Sequence, residues 1–256
     1  MFLRVYTMWI AIKPLQRDKH LAESEYFMRR RRLLIPSRDP GRCIKADMYL
    51  PPETSFKDSA GPRPVLLNYH GSGFVLTGLL GSNILYCARV AFELGIIVID
   101  ADYRKAPEHP FPAASNDVED VLRWISSSAA EEADWLLDKT RVAISGFSSG
   151  GSLALAAASV VRTDAHPALG VDIRAVVGIY PSTDLVTPPE KKRPPKEGIG
   201  KTSPGFLRIC LDCYVPDQEQ RADPRASPGR ADPNTFPQSV AIFTKRDTMR
   251  RKSDDE

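Results

Sequence analysis

The chain has 256 residues, a formal net charge of +3 and 42% hydrophobic residues. That apolar share excludes a disordered chain, and the length suits one α/β domain. Near-balanced charge excludes a general polyanion binder such as a nucleic-acid protein. No apolar run reaches the roughly 18 residues a membrane helix needs, so no integral membrane span is expected.

Residues 1–12 are apolar but short, are interrupted by Arg4 and carry no small-residue cleavage site. This pattern argues against a secretory leader and suits a substrate-facing helix, with surface anchoring as the alternative. The tetra-arginine Arg29-Arg30-Arg31-Arg32 reads as a solvated segment. Cys43 to Leu50 alternates, with Ile44, Ala46, Met48 and Leu50 apolar, which predicts a half-buried strand ended by Pro51 and Pro52. Residues 56–63 form a turn-rich connection. Pro64 to Tyr69 is strand-like and opens into His70-Gly71-Ser72-Gly73-Phe74. A loop of small residues exposes backbone N–H groups, and acyl transfer needs such donors aimed at a developing oxyanion. Ser72 stands where an all-glycine loop would have a third glycine, and it keeps its backbone donor.

Ile96 to Asp100 and Ala175 to Tyr180 are continuous apolar runs. They fit strands covered on both faces in a parallel sheet. Between them, Asp102-Tyr103-Arg104-Lys105-Ala106-Pro107-Glu108-His109-Pro110-Phe111-Pro112-Ala113-Ala114 reads as a strand end and an ion-pair-rich turn, followed by a helix over 116–126. Its expected job is to brace neighbouring loops. Arg141 to Ser145 predicts a buried strand, and Ser152 to Ala158 a helix. Joining them is Gly146-Phe147-Ser148-Ser149-Gly150-Gly151. Strand, G-x-S-x-G, helix is the context of a nucleophile elbow, in which the serine hydroxyl stands exposed on a sharp turn. The glycines allow close backbone passage, and the helix N-terminus favours negative charge beside the serine.

These three ordered blocks resemble the hormone-sensitive-lipase family of α/β-hydrolases, the α/β-hydrolase fold-3 proteins, over about residues 35–244. The resemblance implies a mostly parallel central sheet with helices on both faces. It implies Ser148 as nucleophile, the N–H groups of Ser72, Gly73 and Ser149 as oxyanion hole, and His70 with Gly71 as support for the oxyanion loop. The family's usual G-D-S-A-G-G has Phe147 in place of the acid and Ser149 in place of the alanine, and neither change removes a backbone donor. Asp247, after the strand Ser239 to Thr244, matches the acidic triad member.

Triad order in this fold is serine, acid, histidine. The chain ends nine residues after Asp247, and its histidines are His20, His70, His109 and His166. None fits the base by order. Residues 248–256 hold one apolar side chain and read as a disordered tail. The expectation is therefore a truncated form of a longer esterase, lacking the last strand and helix, with residues 239–244 at an uncovered sheet edge. Two readings stay open. One is a serine carboxylic-ester hydrolase working on a small apolar ester through an acyl-enzyme. The other is a hydrolase-like protein impaired by the missing histidine.

The domain reading is an N-terminal cap-like segment over 1–34, a hydrolase domain over 35–247 and a Pro-rich, charged cap insertion near 187–221. Cys43 and Cys87 read as small core residues. Cys210 and Cys213 have metal half-site spacing without a second half, so no metal and no cofactor is expected. Four cysteines without a framework point to a reducing, cytoplasmic setting. Oligomeric state is not legible.

Overall fold

The computed structural model describes residues 16–26, 28–52, 61–127, 137–164, 168–192 and 203–244. Seven strands form one sheet: β1 (Arg29–Pro36), β2 (Cys43–Leu50), β3 (Arg63–Tyr69), β4 (Ile97–Ala101), β5 (Leu137–Phe147), β6 (Ile173–Ile179) and β7 (Ser239–Phe243). Their order is β1-β2-β4-β3-β5-β6-β7. β1 and β2 pair antiparallel, as do β2 and β4. All pairings from β4 through β3, β5 and β6 to β7 are parallel.

The apolar runs of the central strands are buried on both faces, and their alternation sorts them into two cores. Met48, Val65, Leu67, Ile99 and Ile144 point to one core, with Val118, Val121 and Leu153 from the helices above. Tyr49, Leu66 and Val98 point to the other, with Ile84, Cys87, Ala88 and Ala91. Helix α1 (16–25) contributes Ala22 to this second core. Helix α2 (Ile84–Leu94) supplies its apolar stripe and stops at Gly95, whose φ of 63° is a left-handed C-terminal cap. Helices α3 (Ala113–Ser126) and α4 (Ser149–Ala156) cover the first face. α4 is buried all round and continues through a π-helical stretch, Ala157–Val161. Helix α5 (Pro204–Tyr214) lies beyond a 3-10 turn, Pro189–Lys191.

Several boundaries differ from expectation. α3 begins at Ala113 and α4 at Ser149, each three residues earlier than the sequence pattern predicts. In both cases the early turn is built from small residues, which carry little periodic signal. Cys43 is exposed, not a core residue, because it sits at the start of β2 with its side chain on the solvent side. The tetra-arginine is the first half of β1. Arg30 and Arg32 reach the buried carboxylate of Asp47 on β2, at 3.5 and 2.6 Å. Residues 1–15, Phe27, 193–202, His166, Asp247 and the tail over 248–256 lie outside the described residues, so the first part of the cap-like segment, the centre of the insertion and the proposed triad acid do too. Among the described residues, no helix is long and apolar enough to cross a membrane.

Candidate active site

β5 ends in the middle of the sheet, and the chain must reverse sharply to enter α4. Ser148 makes that reversal at φ 51° and ψ −118°. Positive φ is costly for a residue with a Cβ, by about 1–3 kcal/mol, and persists only where the surroundings enforce it. Here they do. The Ser148 amide donates to the carbonyl of Ile179 on β6 at 2.9 Å, and the Ser148 carbonyl accepts the amide of Ser152 at 3.0 Å. Gly146 and Gly150 are in backbone contact: a Cβ on Gly146 would stand 2.2 Å from the Gly150 carbonyl oxygen. A Cβ on Gly150 would stand 2.2 Å from the Tyr69 carbonyl oxygen. Only glycine fits either position.

The loop after β3 runs beside this turn. A Cβ on Gly71 would lie 3.1 Å from Cβ of Ser148, so the two loops touch. Ser148 is partly exposed. With Gly73 and Ser149 it lines a cavity of about 90 Å³. Leu207, Cys210 and Leu211 of α5 close one side, and Phe74 and Tyr214 stack face to face at 3.7 Å in its wall. Burial pushes the Cys210 thiol up to about 11, the neighbouring Cys213 adding to it, so Cys210 is a neutral wall residue. Ser149 is the first residue of α4, so its amide has no carbonyl of its own helix to bond. Gly73, Ser148 and Ser149 thus line one cavity together.

His70 is fully buried below the loop. Its Nε2 stands 3.1 Å from Oδ1 of Asp102, and its ring stacks on Tyr103 at 5.1 Å. Asp102 also accepts from Lys105 at 2.7 Å. Burial alone would raise the Asp102 carboxyl, but the bonds from His70 and Lys105 outweigh it and hold the group well below the usual carboxylate range. The Ala106 amide donates to the Phe74 carbonyl at 2.9 Å. The block over 102–114 therefore holds the loop from beneath, through a histidine committed to structure.

One expectation needs correction. The Ser72 amide is not free for an oxyanion: it donates to Oγ of Ser149 at 2.8 Å. The cause is the hydroxyl that Ser149 carries where an alanine would have none. The other two expected donors, the amides of Gly73 and Ser149, make no such side-chain bond among the described residues. Sequence reasoning missed this because it treated both departures from the family pattern separately, whereas the fold brings them together across 77 positions. Phe147 replaces an acid by an aromatic edge contact, meeting Tyr86 at 5.2 Å and Tyr180 at 6.0 Å. Among the described residues, no histidine and no carboxylate hydrogen-bonds to the hydroxyl of Ser148.

The profile of a family described as alpha/beta hydrolase fold matches residues 66–255. Ethyl acetate hydrolase of Pseudomonas putida is 33% identical over 216 residues, which cover 82% of this chain and 63% of that protein. Carboxylic ester hydrolase LipN of Mycobacterium tuberculosis is 32% identical over 77% of this chain and 49% of its own length. The chain thus spans less than two thirds of these relatives. Among solved structures, the esterase of Pyrobaculum calidifontis superposes with a TM-score of 0.67 at 27% identity, over 89% of this chain and 71% of that one. Strand-turn-helix, glycine loop and family profile agree, and the chain belongs to the α/β-hydrolase fold-3 family.

Proposed function

We propose that Ser148 is the nucleophile of a serine carboxylic-ester hydrolase. Its hydroxyl attacks the carbonyl carbon of an ester, the carbonyl oxygen becomes an oxyanion, and the alcohol leaves to give an acyl-enzyme that water then hydrolyses. The amides of Gly73 and Ser149 stabilise the oxyanion; each such donor is worth roughly 10²–10³ in rate. Asp247 is carried as the triad acid on family grounds. The observation that supports the reading most is the strained turn at Ser148, at φ 51°, on a small cavity that Gly73 and Ser149 also line. Leu207, Cys210, Leu211 and Leu185 make the cavity apolar, which suits a small apolar ester and gives α5 the part of a cap.

A second reading rests on a specific observation. A serine hydroxyl needs a base to attack efficiently near neutral pH, and no histidine among the described residues hydrogen-bonds to Ser148. Without its base, a triad enzyme retains only roughly 10³–10⁴-fold over water. Hydrolysis of p-nitrophenyl acetate and butyrate separates the readings. Turnover that disappears in Ser148→Ala supports the hydrolase. Stoichiometric acylation of Ser148 without turnover supports the impaired form, and activity unchanged in Ser148→Ala refutes both.

A further inference from the structure

Three buried hydroxyls meet between the two loops of the site. Tyr103 donates its single phenolic proton to the His70 carbonyl at 2.9 Å. Its oxygen also lies 2.8 Å from Oγ of Ser72 and 3.0 Å from Oγ of Ser149. Since that proton is committed, both serines must donate and the phenol oxygen must accept. Ser72 Oγ then accepts the Phe74 amide at 3.0 Å, and Ser149 Oγ accepts the Ser72 amide at 2.8 Å. Every donor has one acceptor and the arrangement closes on itself. Ser72, Tyr103 and Ser149 are 3%, 4% and 2% exposed, so these bonds are shielded from bulk solvent. Networks of this kind, fully satisfied and buried, are stiff.

We infer that Ser149 is an internal plug of the oxyanion hole: its hydroxyl withholds the Ser72 amide, and Tyr103 latches that hydroxyl in place. The inference rests on Ser148 being the nucleophile. Gly73 and Ser149 line the cavity, whereas Ser72, the residue between Gly71 and Gly73, does not. A donor satisfied inside the protein has little left to offer a developing charge. The hole therefore works with two amides, and the third is held in reserve by a residue adjacent to the nucleophile. Ser149 carries both functions, its amide serving the hole and its side chain closing part of it. Removing the hydroxyl frees the reserve donor.

The test compares wild type, Ser149→Ala and Tyr103→Phe. In protein labelled with 15N-serine, exchange of the Ser72 amide reports the plug directly and does not require a reactive Ser148. The rate at which an aryl fluorophosphonate labels Ser148 reports its consequence for an oxyanion-like adduct. We expect Ser72 exchange to rise at least tenfold in Ser149→Ala, and labelling to accelerate by about 10-fold or more, toward the range of one oxyanion donor. Tyr103→Phe, which keeps the plug but removes its latch, should shift both in the same direction by less. Ser72 exchange equal in wild type and Ser149→Ala, or labelling that is unchanged or slower in the folded variant, overturns the plug while leaving the nucleophile in place. Absence of labelling in all three proteins overturns the nucleophile and the plug with it.

Discussion

At the scale of single residues, the turn at Ser148 stores backbone strain. Ser148 at φ 51° and ψ −118° lies in a region glycine enters freely. Ser148→Gly relieves about 1–3 kcal/mol of backbone strain, against about 0.5–1 kcal/mol of added freedom in the unfolded chain. Urea denaturation should therefore show Ser148→Gly more stable than wild type by about 1 kcal/mol, while phosphonylation is lost. Asp100 makes a second test. It is fully buried, accepting from Asn68 at 2.7 Å and from the Gly81 amide at 3.3 Å. Desolvation outweighs His70 and these bonds and raises its carboxyl from 3.8 to about 6. The folded state then binds a proton more tightly than the unfolded chain. That stabilisation is complete below about pH 4 and is lost as pH rises through about 6, to at most about 3 kcal/mol. The stability of wild type relative to Asp100→Asn should fall by about 1–3 kcal/mol between pH 4.5 and 7.5. A pH-independent difference would show that Asp100 is already ionised in the fold at the lower pH.

At the scale of elements, an ion cluster links the 102–114 block, which supports the 70–74 loop, to α3 and the β1–β2 turn. Asp117 on α3 has no exposed side-chain area and binds both Arg42 and Arg104, accepting Nε of Arg104 at 3.0 Å and the Arg104 amide at 2.8 Å. Asp39, 44% exposed, touches the same two arginines at 3.0 and 2.8 Å. The two carboxylates share partners but not burial, and burial decides the magnitude. Asp117→Ala removes the buried carboxylate and leaves Arg42 and Arg104 with only the exposed Asp39 between them, which should cost about 3 kcal/mol. Asp39→Ala should cost about 1 kcal/mol or less, as exposed pairs do. Equal losses in chemical denaturation would mean that the cluster does not brace the loop through α3. Edges differ as well. β1 carries its arginines along the rim of the sheet, which discourages further strand pairing. β7, at the opposite end of the described sheet, exposes Val240, Ile242 and Phe243 at 45%, 48% and 55%.

At the scale of the whole molecule, most of what positions the site could be read from short-range signals. Continuous apolar runs at Ile96–Asp100 and Ala175–Tyr180 marked β4 and β6, because a strand covered on both faces loses the usual alternation; β4 is buried throughout, whereas β6 keeps half-buried positions. G-x-S-x-G marked the turn, because only glycines tolerate the contacts made by Gly146 and Gly150. Other features depend on contacts between distant positions. Ser72, Tyr103 and Ser149 are separated by 31 and 46 residues in the chain and meet only once β3, β4 and β5 lie side by side. The exposure of Cys43 depends on which face of β2 meets solvent, and an alternating pattern leaves its terminal residue undecided. The start of α3 was obscured because Pro112 and two alanines carry neither a cap nor a periodic stripe.

The central claim is that the hydroxyl of residue 148 reacts where the amides of Gly73 and Ser149 await the charge. Peptide mapping after prolonged treatment with an excess of fluorophosphonate tests it most directly. The account predicts a single phosphonyl adduct on the peptide carrying Ser148, absent in Ser148→Ala and retained in Ser152→Ala. No adduct on folded protein, or one on a different serine that persists in Ser148→Ala, contradicts it.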